Sequence, residues 1–117
     1  MNDSTLIPSA NQPVAPVNPV PKLDPVAVFS ALGSEVRWPI IKMLADGRTM
    51  SIGEIADALG RDLDGVGKQL KVLANAGVAA AFAGEDRRQT VYQIPAAHRP
   101  TPGILDYGCC LVKLEKA

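Results

Sequence analysis

Aromatic residues are scarce in this sequence: two Phe, two Tyr and one Trp make up 4% of 117 residues. A core must therefore be filled by Leu, Ile, Val and Ala. Cysteine is scarcer. The two present, Cys109 and Cys110, are adjacent, which excludes the spaced disulfide framework of a small secreted domain. Histidine occurs once, as His98, so a zinc site, which needs three or four N or S ligands, lacks candidates. Net charge is lacking too, with 12 Lys and Arg against 12 Asp and Glu. Nucleic-acid binding would then have to come from a local basic patch. No run approaches the roughly 18 apolar residues of a membrane span. The start of the chain carries neither the basic region nor the apolar segment of a signal peptide. These absences predict a soluble cytoplasmic protein without membrane contact. There is no His/Asp/Ser or Cys/His set, no glycine-rich phosphate loop and no carboxylate cluster in an apolar frame. An enzyme is therefore not expected.

What is present is an apolar fraction of 47%, ordinary for a globular chain. The length allows one small domain and a tail. A core of this size gives marginal stability, which dimerisation would raise. Residues 1–22, "MNDSTLIPSANQPVAPVNPVPK", hold five of the ten prolines and little charge. Proline fixes φ and lacks an N–H, so the stretch reads as a disordered or polyproline-like arm. A ligand for a proline-binding domain is the alternative. Residues 23–117 are read as the folded domain.

Four helices follow. Asp24 and Pro25 supply an N-cap and a first-turn proline for a helix over 25–32, with Val26, Phe29 and Leu32 on its inner face. Ser34 caps a second helix over 35–45, where Val36, Ile40, Ile41 and Leu44 are apolar. Pro39 inside it should kink the helix or delay its start. Ser51 and Glu54 have the spacing of a capping box ahead of 52–59, with Ile52, Ile55, Ala56 and Leu59 inward. The fourth helix, about 63–75, carries Leu63, Val66, Leu70 and Leu73 as one buried stripe and ends at Gly77.

The period then shortens. "VAAAF" (78–82) and "QTVYQI" (89–94) read as strands around the charged, glycine-containing loop 83–88. "AAHRPTPG" reads as a loop that leaves His98 a plain loop residue. "ILDYGCCLVKL" (104–114) is apolar on both alternating sets and reads as a third strand extending the same sheet. Covered on both faces, that strand would also serve as the dimer contact. The fold class expected is α+β: four short helices, a β-hairpin wing and a C-terminal strand.

The stretches "VFSALGSEVRWPIIKMLADG", "SIGEIADALG" and "GKQLKVLANAGV", followed by the hairpin, resemble the ArsR-type winged helix-turn-helix regulators. The resemblance covers about 26–94. It implies that 63–75 is a recognition helix and 83–88 a wing. Opposite the apolar stripe of 63–75, Asp64, Lys68, Lys71 and Asn75 share a face, with Gly65 and Gln69 beside it. Lysine suits guanine and glutamine suits adenine in the major groove. The expected duplex-DNA contacts are Arg61, Asp64, Gly65, Gly67, Lys68, Gln69, Lys71, Arg87 and Arg88, with Arg88 and Arg87 reaching phosphate or the minor groove. Arg48 and Lys42 are further phosphate candidates.

Some features oppose simple charge attraction. Asp62 and Asp64 suit a helix start, through its dipole, but repel phosphate. Gly65 and Gly67 each cost up to about 1 kcal/mol of helix propensity, which close approach to DNA or to another protein would explain. Metal-sensing relatives carry cysteines in the helix aligned with 50–57; here Ser51 and Gly53 stand instead. Cys109 and Cys110 read as small buried residues or as a thiol sensor. No cofactor and no small-molecule effector are implied. Relatives dimerise through the first helix and a C-terminal helix, so a homodimer is expected, with a different C-terminal contact. The leading reading is a DNA-binding transcriptional regulator. The alternative is a winged-helix module that binds protein through the same helix face.

Overall fold

The computed structural model describes residues 23–86 and 88–114, so the proline-rich arm expected over 1–22 lies outside them, as does Arg87. Among the described residues four α-helices come first, with a two-residue strand between the second and third. They are α1 (Pro25–Leu32), α2 (Trp38–Leu44), β1 (Met50–Ser51), α3 (Ile52–Leu59) and α4 (Leu63–Ala76). Then come β2 (Ala80–Ala83), β3 (Thr90–Gln93), a 3-10 turn (Ala96–His98), β4 (Ile104–Asp106) and β5 (Leu111–Lys113). Local chemistry sets the helix starts, and that of α2 is corrected from about 35 to Trp38. Asp24 accepts from Val26 N at 3.3 Å, and Pro25 opens α1. Ser34 Oγ accepts from Val36 N and Arg37 N, both at 3.2 Å, and holds a turn. Helix α2 starts only at Trp38, so Pro39 falls in its first turn, where no N–H partner is required.

The core is a single cluster contributed by every helix. Val28, Ala31, Ile40, Ile41, Leu44, Ile55, Val66, Leu70 and Leu73 are buried, joined by Val78, Ile94, Leu105 and Tyr107. Two expected inner faces are corrected. In α1, Val26 and Phe29 are exposed at 73% and 51%, and the buried residues are Val28 and Ala31. Helix α1 is apolar on nearly all sides, so periodicity could not choose its face; packing against α4 chose the smaller side chains. In α4, Leu63 is 57% exposed, and the buried stripe runs Val66, Leu70, Leu73 and Ala76. The first turn of α4 projects past the core.

The sheet also differs from expectation. Its order is β1-β3-β2. The third strand of the wing is therefore β1, with Met50 opposite Tyr92 and Ser51 opposite Val91. The segment 104–114 does not extend that sheet. It folds back on itself as a separate hairpin, pairing Ile104 with Lys113 and Asp106 with Leu111. Gly108 at φ +84° turns the chain there. Tyr107 N donates to Cys110 O at 3.0 Å, and Gly108 N to Asp106 Oδ1 at 2.8 Å. Gly108 is thus a turn residue within the segment expected as one strand, and Leu111 is left 67% exposed rather than covered.

This hairpin still seals the core. Tyr107 is buried and its hydroxyl donates to Val78 O at 3.0 Å. His98 is no plain loop residue. It is only 5% exposed, its Nδ1 lies 2.9 Å from Asp106 O, and its ring centroid is 4.7 Å from that of Tyr107. Arg99 Nε donates to Ile94 O at 2.7 Å, and Gln93 Nε2 to Gly47 O at 2.6 Å. The first bond ties the segment after the wing back to the end of β3, and the second ties β3 to the turn after α2.

Candidate nucleic-acid interface

Helices α3 and α4 pack together as a helix-turn-helix. The reciprocal capping box sets the start of α3. Glu54 N donates to Ser51 Oγ at 3.1 Å, and Ser51 N to Glu54 Oε1 at 2.8 Å. Because Ser51 also pairs in the sheet, this cap fixes α3 to the wing. Gly60 ends α3, and Asp62 caps α4 by accepting from Gly65 N at 3.0 Å. That capping bond gives the Asp62 carboxylate a structural task at the helix start.

The residues expected at the interface divide between two sides of α4. Asp64, Lys68 and Lys71 are exposed, and together with Leu63, Gly67 and Ile52 they line an open groove of about 520 Å³. Arg61, Gly65 and Gln69 lie on the other flank. With Val36, Ile40, Asp62 and Val66 they line a smaller cleft of about 170 Å³ against α2. There Gln69 has a partner: Arg37 Nη1 donates to its Oε1 at 2.8 Å. The same guanidinium donates to Ala31 O at 2.9 Å and Ser30 O at 3.0 Å, closing the end of α1. The link orients α4 relative to α1. Arg61 itself remains exposed.

On the wing, Arg88 is exposed, and its backbone N–H donates to Asp86 Oδ1 at 3.0 Å. Glu85 and Asp86 beside it are exposed as well. Arg48 is bound by a neighbour. Its Nη2 lies 2.7 Å from Asp46 Oδ2, with both side chains more than half exposed. The hydrogen bonds from Arg48 hold the Asp46 carboxyl below its ordinary value, and Asp46 raises the guanidinium in turn. Arg48 and Lys42 line a separate groove with Arg99, Pro102 and Leu114, on the side of the C-terminal hairpin. The exposed cations beside the acidic start of α4 are therefore Lys68 and Lys71, with Arg61 at the turn and Arg88 on the wing.

Sequence reasoning assigned Leu63 to the core and did not single out Arg37. The signal for Leu63 was its position directly after the N-cap, one turn outside the stripe continued by Val66, Leu70 and Leu73. For Arg37 only the three-dimensional meeting of α1 and α4 reveals a task. Among the described residues no group of three or more His, Cys, Asp or Glu could hold a metal ion, and no helix is long and apolar enough to cross a membrane.

Several known proteins share this arrangement. A family model described as HVO_A0114 matches residues 33–93, just over half of the chain. None of the curated proteins matches at a significant level. One similar solved structure is the homodimeric winged helix-turn-helix DNA-binding domain (fragment 1–100) of Mb0332 from Mycobacterium bovis, a possible ArsR-family transcriptional regulator. The identity is 29% and the TM-score 0.53, over 59% of this chain and 61% of that one. HlyU from Vibrio cholerae N16961 matches at 25% identity and TM-score 0.53, over 59% of this chain and 72% of its own. Rv0081 of M. tuberculosis matches at 30% identity and TM-score 0.51, over 59% and 67% respectively. The match thus spans about 61% of the Mycobacterium bovis fragment. Capped helix-turn-helix, three-stranded wing and these likenesses agree: the chain belongs to the HVO_A0114 family and has the winged helix-turn-helix fold of ArsR-type regulators.

Proposed function

We propose that this protein is a transcriptional regulator that binds duplex DNA, with α4 in the major groove and the wing on the backbone. The observation that carries the reading is the uncovered face of α4, where Lys68 and Lys71 stand exposed in the second helix of a helix-turn-helix. Lysine at such a face donates to guanine or to phosphate. Asp64, an acceptor without a donor of its own, suits the exocyclic amine of cytosine rather than a phosphate. Gly65 and Gly67 keep that end of the helix slim. Arg61 and the wing arginines, Arg87 and Arg88, are assigned to phosphates. Gln69 is assigned to the bases through its amide nitrogen, its oxygen being held by Arg37. With three cations and two acids between 61 and 71, binding should be weak and salt-sensitive.

A homodimer fits this reading. The Mycobacterium bovis domain is homodimeric, and Val26 and Phe29 of α1 leave an apolar surface uncovered here. Two copies would place two α4 helices on one duplex. Such a regulator works where its DNA is, in the cytoplasm. The competing reading is a winged-helix module that binds protein. Asp64, Glu85 and Asp86 favour it, because all three are exposed on the side that would meet phosphate.

Titration of the full chain against generic duplex DNA at two salt concentrations separates the two. We expect salt-dependent binding. Lys68→Ala should change sequence preference. Arg88→Ala should weaken all sequences alike and reduce the salt slope by about one unit. Absence of duplex binding at low salt would overturn the DNA reading in favour of a protein partner.

A further inference from the structure

We infer that the apolar notch formed by Ile52, Leu63 and Gly67 receives the C5-methyl group of a thymine, so that Leu63 and Gly67 give the protein its preference for that base. The inference rests on the DNA-binding reading above and deepens it.

Leu63 is the first residue of α4 and is 57% exposed, whereas Val66, Leu70 and Leu73 of the same helix are buried in the core and Val72, further along, is 40% exposed. One turn along the same face stands Gly67. Nothing in the fold demands a glycine there. A Cβ at Gly67 would meet only Ile52 Cδ1, at 3.8 Å, an ordinary contact. Glycine is also disfavoured in a helix interior. Its effect is to leave a gap beside Leu63, floored by Ile52, in the open groove of about 520 Å³. The rim of that groove is polar: Asp64, Lys68 and Lys71.

An apolar recess surrounded by cations and one acceptor matches the chemistry of the major groove. The only apolar group a base pair presents there is the thymine methyl, and its neighbours are amines, carbonyls and phosphates. The two lysines would hold the duplex against the helix while Leu63 covers the methyl. Lysines on the rim also argue against a purely apolar protein ligand.

The probes are alternating poly(dA–dT) and poly(dA–dU) duplexes, which differ only in that methyl, titrated against the full chain by fluorescence anisotropy at low salt. Wild-type protein should bind the thymine duplex about fourfold more tightly per contacted methyl, the gain for burying one such carbon. Leu63→Ala and Gly67→Ala should each bring the two affinities together, the first by removing the apolar wall and the second by filling the gap. Leu63 is mostly exposed and a Cβ at Gly67 makes only an ordinary contact with Ile52, so folding should survive, and circular dichroism checks it. Equal wild-type affinity for the two duplexes would overturn the inference and leave the DNA reading standing. A preference that persists in both variants would place methyl recognition elsewhere and overturn it too. If neither duplex binds, the parent reading fails and this inference with it.

Discussion

Replacing Gly67 by alanine should make the protein more stable. Within a helix, glycine is about 1 kcal/mol less favourable than alanine, because its backbone loses more freedom on folding. Whether the gain is realised depends on what the added methyl meets. Gly67 lies mid-helix in α4, and its Cβ would stand 3.8 Å from Ile52 Cδ1, touching without overlap. No clash offsets the propensity term, so Gly67→Ala should stabilise by about 1 kcal/mol. For a domain of this size that raises the melting temperature by about 4–8 °C. Urea unfolding followed by circular dichroism measures it directly, with an unchanged slope and a higher midpoint. Two other glycines act as controls. A Cβ at Gly65 would lie 2.9 Å from Asp62 Oδ1. The N-cap would have to shift, and losing a cap costs about 1 kcal/mol, so Gly65→Ala should give little net change. Gly77 has φ +82° and packs against Leu23. There alanine is strained, and Gly77→Ala should destabilise by more than about 1 kcal/mol. A fall in the urea midpoint for Gly67→Ala would refute the reasoning, since it would mean that the groove beside Leu63 is filled.

Leu70 is fully buried where α4 meets the core, so Leu70→Ala should cost roughly 2–5 kcal/mol in chemical denaturation, and a loss below about 1 kcal/mol would contradict its placement. Tyr107→Phe removes the donor to Val78 O and should cost about 1–2 kcal/mol, because the carbonyl is left without its partner. Burial, and next the charge of Cys110, pushes the Tyr107 phenol up. Its contribution should therefore be complete below the unfolded value of about pH 10 and fall as pH rises beyond it; the urea midpoint of Tyr107→Phe should lack that alkaline decline. Burial, and then the neighbouring Cys109 thiol, raises the Cys110 thiol. Iodoacetamide at about pH 8 should accordingly alkylate it more slowly in the folded chain than in urea, with equal rates excluding that shielding.

The elements themselves were legible wherever a local interaction decides the outcome. Asp24 with Pro25, Ser51 with Glu54, Asp62 and Gly77 mark helix ends through bonds within a few residues, and those bonds depend on spacing alone. The stripe of Val66, Leu70 and Leu73 was readable for the same reason. Together with the motif order, this was enough to point to the winged helix-turn-helix fold.

Tertiary structure decided what local pattern leaves open. A helix as uniformly apolar as α1 has no periodic face, so only contact with α4 could bury Val28 and Ala31 and leave Phe29 outside. In 104–114, apolar residues on both alternating sets suit a doubly covered strand. The turn at Gly108 and the anchors of Tyr107 and His98 make it a hairpin instead. The partner that completes the wing is Met50–Ser51, too short to be recognised as a strand. The division of α4 into a lysine-lined groove and a flank tied to Arg37 depends on where α2 and α3 stand beside it. The sequence alone set where the capped helices α1, α3 and α4 begin and end, because those energies are local. Which faces are covered was decided by the packed chain, since burial depends on neighbours remote in sequence.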